Sequence, residues 1–310
     1  MPGSVVRLSY NKICNVEDFQ NDDLRRVMRR ELPHEVSRFG AEFPTGHEDR
    51  KDWETAMTIR TFEDHGLLDR EHDFLGVASG TEALNFCLTR YARRVVATDL
   101  YLDPGDWAAT ASPIMLKNPG AYWASDWNPR RLVTQHMNAL DLQYEDESFD
   151  GVFSSSSIEH FGDFAAIRVA MAEIFRVLRP GGIAALSTEF RLEGPSPGVP
   201  GTLMFDRAEF LEHVVGDRPW RFVSPFDFTV SSETLRTALD VESIIDMQNA
   251  FVAEHPDGYT IRPEYPQYPI VALRSRAHVS TTMHVALRKK RRHPLARVVP
   301  RRVVKLARRR

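Results

Sequence analysis

Five short apolar runs decide most of what this chain can fold into: DFLGVA (Asp73 to Ala78), RVVATD (Arg94 to Asp99), RLVTQH (Arg131 to His136), FDGVFSS (Phe149 to Ser155) and GIAALSTEF (Gly182 to Phe190). Each has the length of a strand, and TEALNFCLTRYA and FAAIRVAMAEIFRVL between them are patterned as helices. Strands alternating with helices predict a parallel sheet with crossover helices, a doubly wound α/β architecture. In the second helix Ile167, Met171, Ile174, Phe175 and Leu178 recur at helical spacing, and Arg179-Pro180-Gly181-Gly182 is the expected stop before the fifth strand.

Other segments flank this pattern. Residues 1–70 are rich in charge, with helices expected at DDLRRVMRREL and KDWETAMTIRTFEDHG, and read as an N-terminal helical cap. Residues 71–287 form the α/β domain, with a helix expected near DRAEFLEHVV and a last strand at TTMHVALR. The insertion at 101–130, with Trp107, Tyr122, Trp123 and Trp127, is too long for an ordinary crossover loop and predicts a lid or pocket wall. Residues 288–310 are a basic tail of twelve Lys and Arg with no acid, leaving 28 Lys+Arg against 43 Asp+Glu, or −15, on the rest.

The tail intersperses Leu295, Val298, Val299, Val303, Val304 and Leu306 among its cations, which suits an anionic membrane surface; nucleic acid is the competing partner and a solvated end the third reading. The first residues hold no apolar signal-peptide core, and no run of about 18 apolar residues occurs, so a membrane-spanning helix is not expected. Two cysteines, Cys14 and Cys87, make neither a disulfide framework nor a zinc site and fit a reducing compartment. The expected location is cytoplasmic, with peripheral attachment at the inner membrane surface through the tail.

After the first run comes the turn Ala78-Ser79-Gly80-Thr81-Glu82, where backbone N–H groups and a helix start can meet a ligand. Only Gly80 survives from the G-x-G-x-x-G dinucleotide pattern, and no G-x-x-x-x-G-K-S/T phosphate loop exists. Asp99 closes the next strand 19 residues after Gly80, near the spacing at which an acid takes ribose hydroxyls. The residues alone leave open an ordinary turn, a helix-capping Asp, and a nicotinamide or flavin site.

FLGVASGTEAL, VVATDLY, MNALDLQYEDESFDGVFSSSSIEHFGD and AEIFRVLRPGGIAALSTEF, in that order, resemble the successive motifs of class I S-adenosylmethionine-dependent methyltransferases of the methyltransferase type 11 kind. The resemblance covers roughly Asp73 to Phe190 and implies a Rossmann-like, seven-stranded methyltransferase sheet with S-adenosyl-L-methionine as cofactor. By position it implies that Ala78, Ser79 and Gly80 line the methionine part, that Asp99, with Leu100 beside it, binds the ribose, and that Asn138, Ala139 and Leu140 meet the adenine. Ser155 and Ser156 would lie near the methyl group. The chain departs from the pattern at Gly76 (usually acidic), Ala78 and Glu82 (usually glycine) and Asn138 (usually Asp). Loss of glycine is tolerable because this cofactor has no phosphates, and Asn keeps an acceptor for an amino group.

His160 and Glu159 follow the fourth strand, where such a fold opens its cleft. His160 is the candidate general base for an acceptor hydroxyl, with Glu159 second and Glu189 on the same rim; a histidine that shapes the loop is the alternative. The expected function is methyl transfer to an oxygen of a small molecule or a glycan sugar. A nucleic-acid methyltransferase is disfavoured because SSSSIEHF contains neither Asn/Asp-Pro-Pro-aromatic nor a nucleophilic cysteine. A non-catalytic binding protein on a degenerate methyltransferase scaffold is the further alternative.

Overall fold

The computed structural model describes residues 8–103, 105–107 and 110–291. The tail beyond Arg291, and with it most of the membrane-surface expectation for 288–310, lies outside the described residues. No helix among the described residues is long and apolar enough to cross a membrane.

The strands in chain order are β1 (Asn11–Ile13), β2 (Asp73–Gly76), β3 (Arg94–Asp99), β4 (Leu132–His136), β5 (Phe149–Ser155) and β6 (Leu178–Glu193), then the two-residue pair β7 (Gly198–Val199) and β8 (Thr202–Leu203). There follow β9 (Trp220–Phe222), β10 (Phe226–Asp227), β11 (Leu239–Asp240), β12 (Leu273–Ser275) and the long β13 (His278–Lys289). The main sheet runs β4-β3-β2-β5-β6-β13-β1-β10, parallel from β4 to β6, with β13 antiparallel to β6. From β2 the chain moves outward through β3 to β4, then returns to β5 on the other side of β2. The cleft at the carboxyl ends of β2 and β5 is thus the switch point where ligands of such sheets bind.

The helices are α1 (Asp22–Glu31), α2 (Pro33–Phe39), α3 (Arg50–Asp64), α4 (Ala83–Cys87), α5 (Phe164–Val177), α6 (Arg207–Glu209), α7 (Ser232–Arg236) and α8 (Val241–Glu254). In α5, Asp163 caps the start by accepting from the Ala166 N–H at 2.9 Å, and Ile167, Ala170, Met171, Ile174 and Val177 are buried along one face. The strands divide their side chains by strict alternation: Phe74, Phe153, Ala185 and Ala286 pack on the α3 side, whereas Leu75, Val152, Leu186 and Val285 pack on the α5 side.

Three features differ from the sequence reading. Among the described residues the sheet has eleven strands rather than seven, because the slot beyond β13 is filled by short strands. One of them, β1, comes from the segment read as a helical cap: Lys12 pairs with His284 and Ile13 with Met283. Arg179-Pro180-Gly181-Gly182, expected as a stop, is carried inside β6, where the register against β5 shifts between Phe149 and Gly151 to accommodate it. A Cβ at Gly182 would lie 2.6 Å from the Asp150 carbonyl oxygen, so only glycine permits this close approach.

His284 joins β1 to β13, its Nδ1–H donating to the Tyr10 carbonyl at 2.7 Å, with Trp53 edge-on to the ring at 6.2 Å. Burial, opposed by that bond, and the nearby Arg60 cation push its pKa from the usual 6.5 down to about 4. Between these values the unfolded chain takes up a proton that the folded chain refuses, so this group's contribution is complete above the ordinary value and is lost as pH falls towards 4. Urea unfolding should show a loss of about 3 kcal/mol from this group between pH 7 and pH 4. In a folded His284→Gln variant that part of the slope should be missing.

Candidate active site

The turn after β2 bends through two left-handed residues, Ala78 (φ 46°) and Gly80 (φ 42°). Asn85 Nδ2 donates to the carbonyls of Ser79 (3.0 Å) and Gly80 (3.1 Å), and the Tyr101 hydroxyl donates to the Gly80 carbonyl at 2.8 Å. Gly80 N–H donates to Asp99 Oδ2 (2.8 Å) and Leu100 N–H to Asp99 Oδ1 (2.7 Å). The carboxylate is thereby aimed by two amides with lone pairs left for a ligand. Burial raises the Asp99 pKa, and the same two amide bonds work against the rise. A Cβ at Gly76 would sit 2.6 Å from Ser79 Oγ and 2.7 Å from Phe153 Cζ, so the acid usual at that position has no room here.

One cavity of about 670 Å³ collects nearly all the predicted residues: Ala78, Ser79, Gly80, Asp99, Leu100, Asn138, Ala139, Leu140, Ser156, Glu159 and His160. Ser155 is the exception; it ends β5 buried at 2% exposure and does not line the cavity. Its neighbour Ser156 turns out of the strand at φ 47° and donates to Glu54 Oε1 at 2.7 Å. Asn138 lines the cavity but spends one Oδ1 lone pair on the Leu140 N–H at 2.9 Å.

His160 points Nδ1 at the Gly201 carbonyl, 3.0 Å away, which makes Nδ1 the protonated nitrogen and leaves Nε2 as an acceptor. Burial lowers its pKa, so the ring is neutral at pH 7. Trp107 of the insertion packs on the imidazole with ring centroids 4.0 Å apart. Glu159 is 1% exposed; Oε2 accepts from the Thr188 hydroxyl at 2.7 Å, and Oε1 has no partner among the described residues. Burial, and second the Glu189 carboxylate, push Glu159 up to about 8. Glu189 stays ionised despite its burial, held by Arg50 at 2.5 Å and the Ser280 hydroxyl at 2.8 Å.

Sequence reasoning missed the contribution of α3. Arg50, Lys51, Asp52 and Thr55 line the cavity, as do Arg262 and Tyr259 from the segment after α8, and Ile244, Ile245 and Gln248 on α8. Arg-Lys-Asp at a helix start looks like a solvated face, and nothing in its spacing marks it as buried. Of the insertion, Trp107, Tyr122 and Trp123 line the cavity and Trp127 packs on Phe86 instead. Among the described residues no group of three or more His, Cys, Asp or Glu is arranged to hold a metal ion.

Residues 75–186 match a family model described as a methyltransferase domain. The chain is 35% identical over 78 residues to the O-methyltransferase resE of Aspergillus sclerotiorum, covering 25% of this chain and 28% of that protein. It is 43% identical over 63 residues to the O-methyltransferase rstn1 of Aspergillus nomiae, covering 20% and 27%. It therefore spans little more than a quarter of the length of these relatives. Similar solved structures include the YcgJ protein from Bacillus subtilis (16% identity, 76% of this chain and 98% of that one, TM-score 0.46) and geranyl diphosphate C-methyltransferase from Streptomyces coelicolor, in complex with S-adenosyl-L-homocysteine (14%, 76% and 79%, 0.43). Residues 75–186 of this chain are thus a methyltransferase domain, whose cofactor is S-adenosylmethionine.

The lining fits that cofactor. Among the described residues it holds six acids (Asp49, Asp52, Glu82, Asp99, Glu159, Glu189) and three Lys or Arg (Arg50, Lys51, Arg262). Burial raises Asp52 to about 8 even with the Arg262 guanidinium on it. Acids outnumber Lys and Arg in this lining, which suits a sulfonium. The two left-handed residues give opposite expectations on substitution. Ala78→Gly should raise stability by about 0.5–1 kcal/mol, the relief of a left-handed alanine less the extra chain entropy of glycine. Gly80→Ala should lower it by more than about 1 kcal/mol, because its Cβ would lie 2.5 Å from the Thr110 carbonyl oxygen at a positive φ. Thermal unfolding of the two variants checks both signs.

Proposed function

We propose that this protein is an S-adenosylmethionine-dependent O-methyltransferase acting on a hydroxyl-bearing small molecule, a sugar hydroxyl of a glycan being the same chemistry. One observation carries the reading: His160 is a neutral imidazole on the cavity wall after β5, its Nδ1–H anchored on the Gly201 carbonyl and its Nε2 left to accept a proton. The O-methyltransferase descriptions of the two fungal relatives agree with it, over short matches. Tyr122, Trp123, Ile244 and Ile245 supply flat and apolar surface for the acceptor's body, and the cavity volume is that of a small-molecule site.

When bound, S-adenosylmethionine supplies an electrophilic methyl group. In this reading Asp99 takes the ribose hydroxyls, and Leu100, Ala139 and Leu140 give the adenine an apolar slot with Asn138 at its rim. The enzyme's largest task is to hold the acceptor oxygen in line with the methyl group. His160 Nε2 receives the hydroxyl proton as the oxygen attacks, and the Gly201 carbonyl stabilises the imidazolium that results.

Asp99→Ala should weaken S-adenosylmethionine binding about ten- to a hundredfold by calorimetry, the loss of a charge-assisted hydrogen bond; an unchanged dissociation constant in folded protein would remove Asp99 from the site. His160→Ala should lower turnover about 10²–10⁴-fold with cofactor affinity kept, and near-normal turnover would return His160 to a loop-shaping role. Because burial lowers the His160 pKa, the base stays unprotonated to lower pH, so the acid limb of the wild-type rate profile should fall below 6.5. Acceptors are found by incubating extract with the enzyme and cofactor and searching for products heavier by one methylene; methylation of RNA or DNA alone would overturn the acceptor class.

A further inference from the structure

Resting on the cofactor assignment above, we propose that Lys51, on a helix outside the matched residues 75–186, binds the α-carboxylate of S-adenosylmethionine. The cofactor's methionine end carries an ammonium, a sulfonium and a carboxylate. The acids of the cavity suit the two cations, but the carboxylate needs a positive partner. Among the described residues three Lys or Arg line the cavity. Arg50 is spent on Glu189 at 2.5 Å, and Arg262 is bound to Asp52 and lies within 3.5 Å of Asp49.

Lys51 is differently placed. Its Nζ stands 3.3 Å from Glu82 Oε1 and 3.5 Å from Glu54 Oε2, longer than the 2.7–2.9 Å of a charge-assisted bond. Its side chain is 32% exposed, onto the same cavity as Ala78, Ser79 and Gly80. Glu82 belongs to the turn that runs from Ala78, so Lys51 sits at the end of the cavity where that turn would hold the methionine part. Burial opposes its charge, but Glu54 and Glu82 outweigh burial and keep the ammonium protonated. Glu54 is tied further back by the hydroxyls of Ser156 (2.7 Å) and Thr282 (2.8 Å), which leaves Lys51 free to swing from its acids to an incoming carboxylate.

The test compares two ligands by calorimetry on the full chain: S-adenosylmethionine, and its decarboxylated form, which keeps the adenosine, sulfonium and amine. Lys51→Met should weaken S-adenosylmethionine about ten- to a hundredfold and the decarboxylated ligand no more than about twofold, while Lys51→Arg keeps most of the discrimination. Equal losses for both ligands would make Lys51 a mere tie between helix and turn, and no loss for either would place the carboxylate elsewhere; both results overturn the proposal. Should Lys51→Met not fold, Lys51→Gln takes its place: loss of discrimination in that variant supports the proposal and unchanged discrimination overturns it. Wild-type protein that binds neither ligand defeats the cofactor assignment itself, a separate result from a wild type that binds both alike, which defeats the carboxylate contact alone.

Discussion

Everything at this site depends on the burial of a charged helix. From Asp52 to Phe62 every residue of α3 is buried, including Asp52, Glu54 and Arg60. An ion taken out of water without a partner costs several kcal/mol, so α3 can lie across the sheet only where other elements meet its charges. They do so at specific places: Glu54 receives the hydroxyls of Ser156 after β5 and Thr282 on β13, Arg50 receives Glu189 on β6, Asp52 receives Arg262, and the Arg60 guanidinium donates to the Leu8 carbonyl at 3.0 Å. One helix thereby fixes the relative positions of three strands and of the segment after α8 that lines the cavity.

This network also divides the cavity electrically. At the β5–β6 end Glu189 is ionised through Arg50 and Ser280, and its charge helps keep Glu159 protonated. Two neighbouring carboxyls in opposite states can hold a donor and an acceptor a short distance apart, which neither could do alone in water. His160 is neutral for a different reason, burial, and its tautomer is set by a single carbonyl. The groups that would move a proton therefore owe their states to surroundings contributed by α3, β6, β13 and the loop at Gly201.

The departures from the common motif have physical explanations in the same packing. Gly76 stands where an acid is usual because Ser79 and Phe153 occupy the space a side chain would need. Ala78 accepts a left-handed backbone at some cost, and the turn is over-determined by Asn85, Tyr101, Thr98 and Asp99, so the strain is held rather than relaxed.

The runs DFLGVA, RVVATD and FDGVFSS were legible as strands because burial on both faces leaves an unmistakable apolar pattern, and Asp99, Gly80 and His160 were legible because they close or follow those strands. By itself the sequence determined the parallel α/β core, α5 with its cap, and the positions that a strand's carboxyl end must present to a ligand. Tertiary structure alone decided that β1 enters the sheet, that Arg-Lys-Asp at the head of α3 is a cavity wall rather than a solvated face, that Ser155 is buried off the cavity while Ser156 lines it, and that α8 and Arg262 line the same cavity. The reason is range: strand and helix periodicities are set by neighbours a few residues apart, whereas Arg50 meets Glu189, and Asp52 meets Arg262, across more than a hundred residues, and a charge gives no sign in sequence of the partner that will let it be buried.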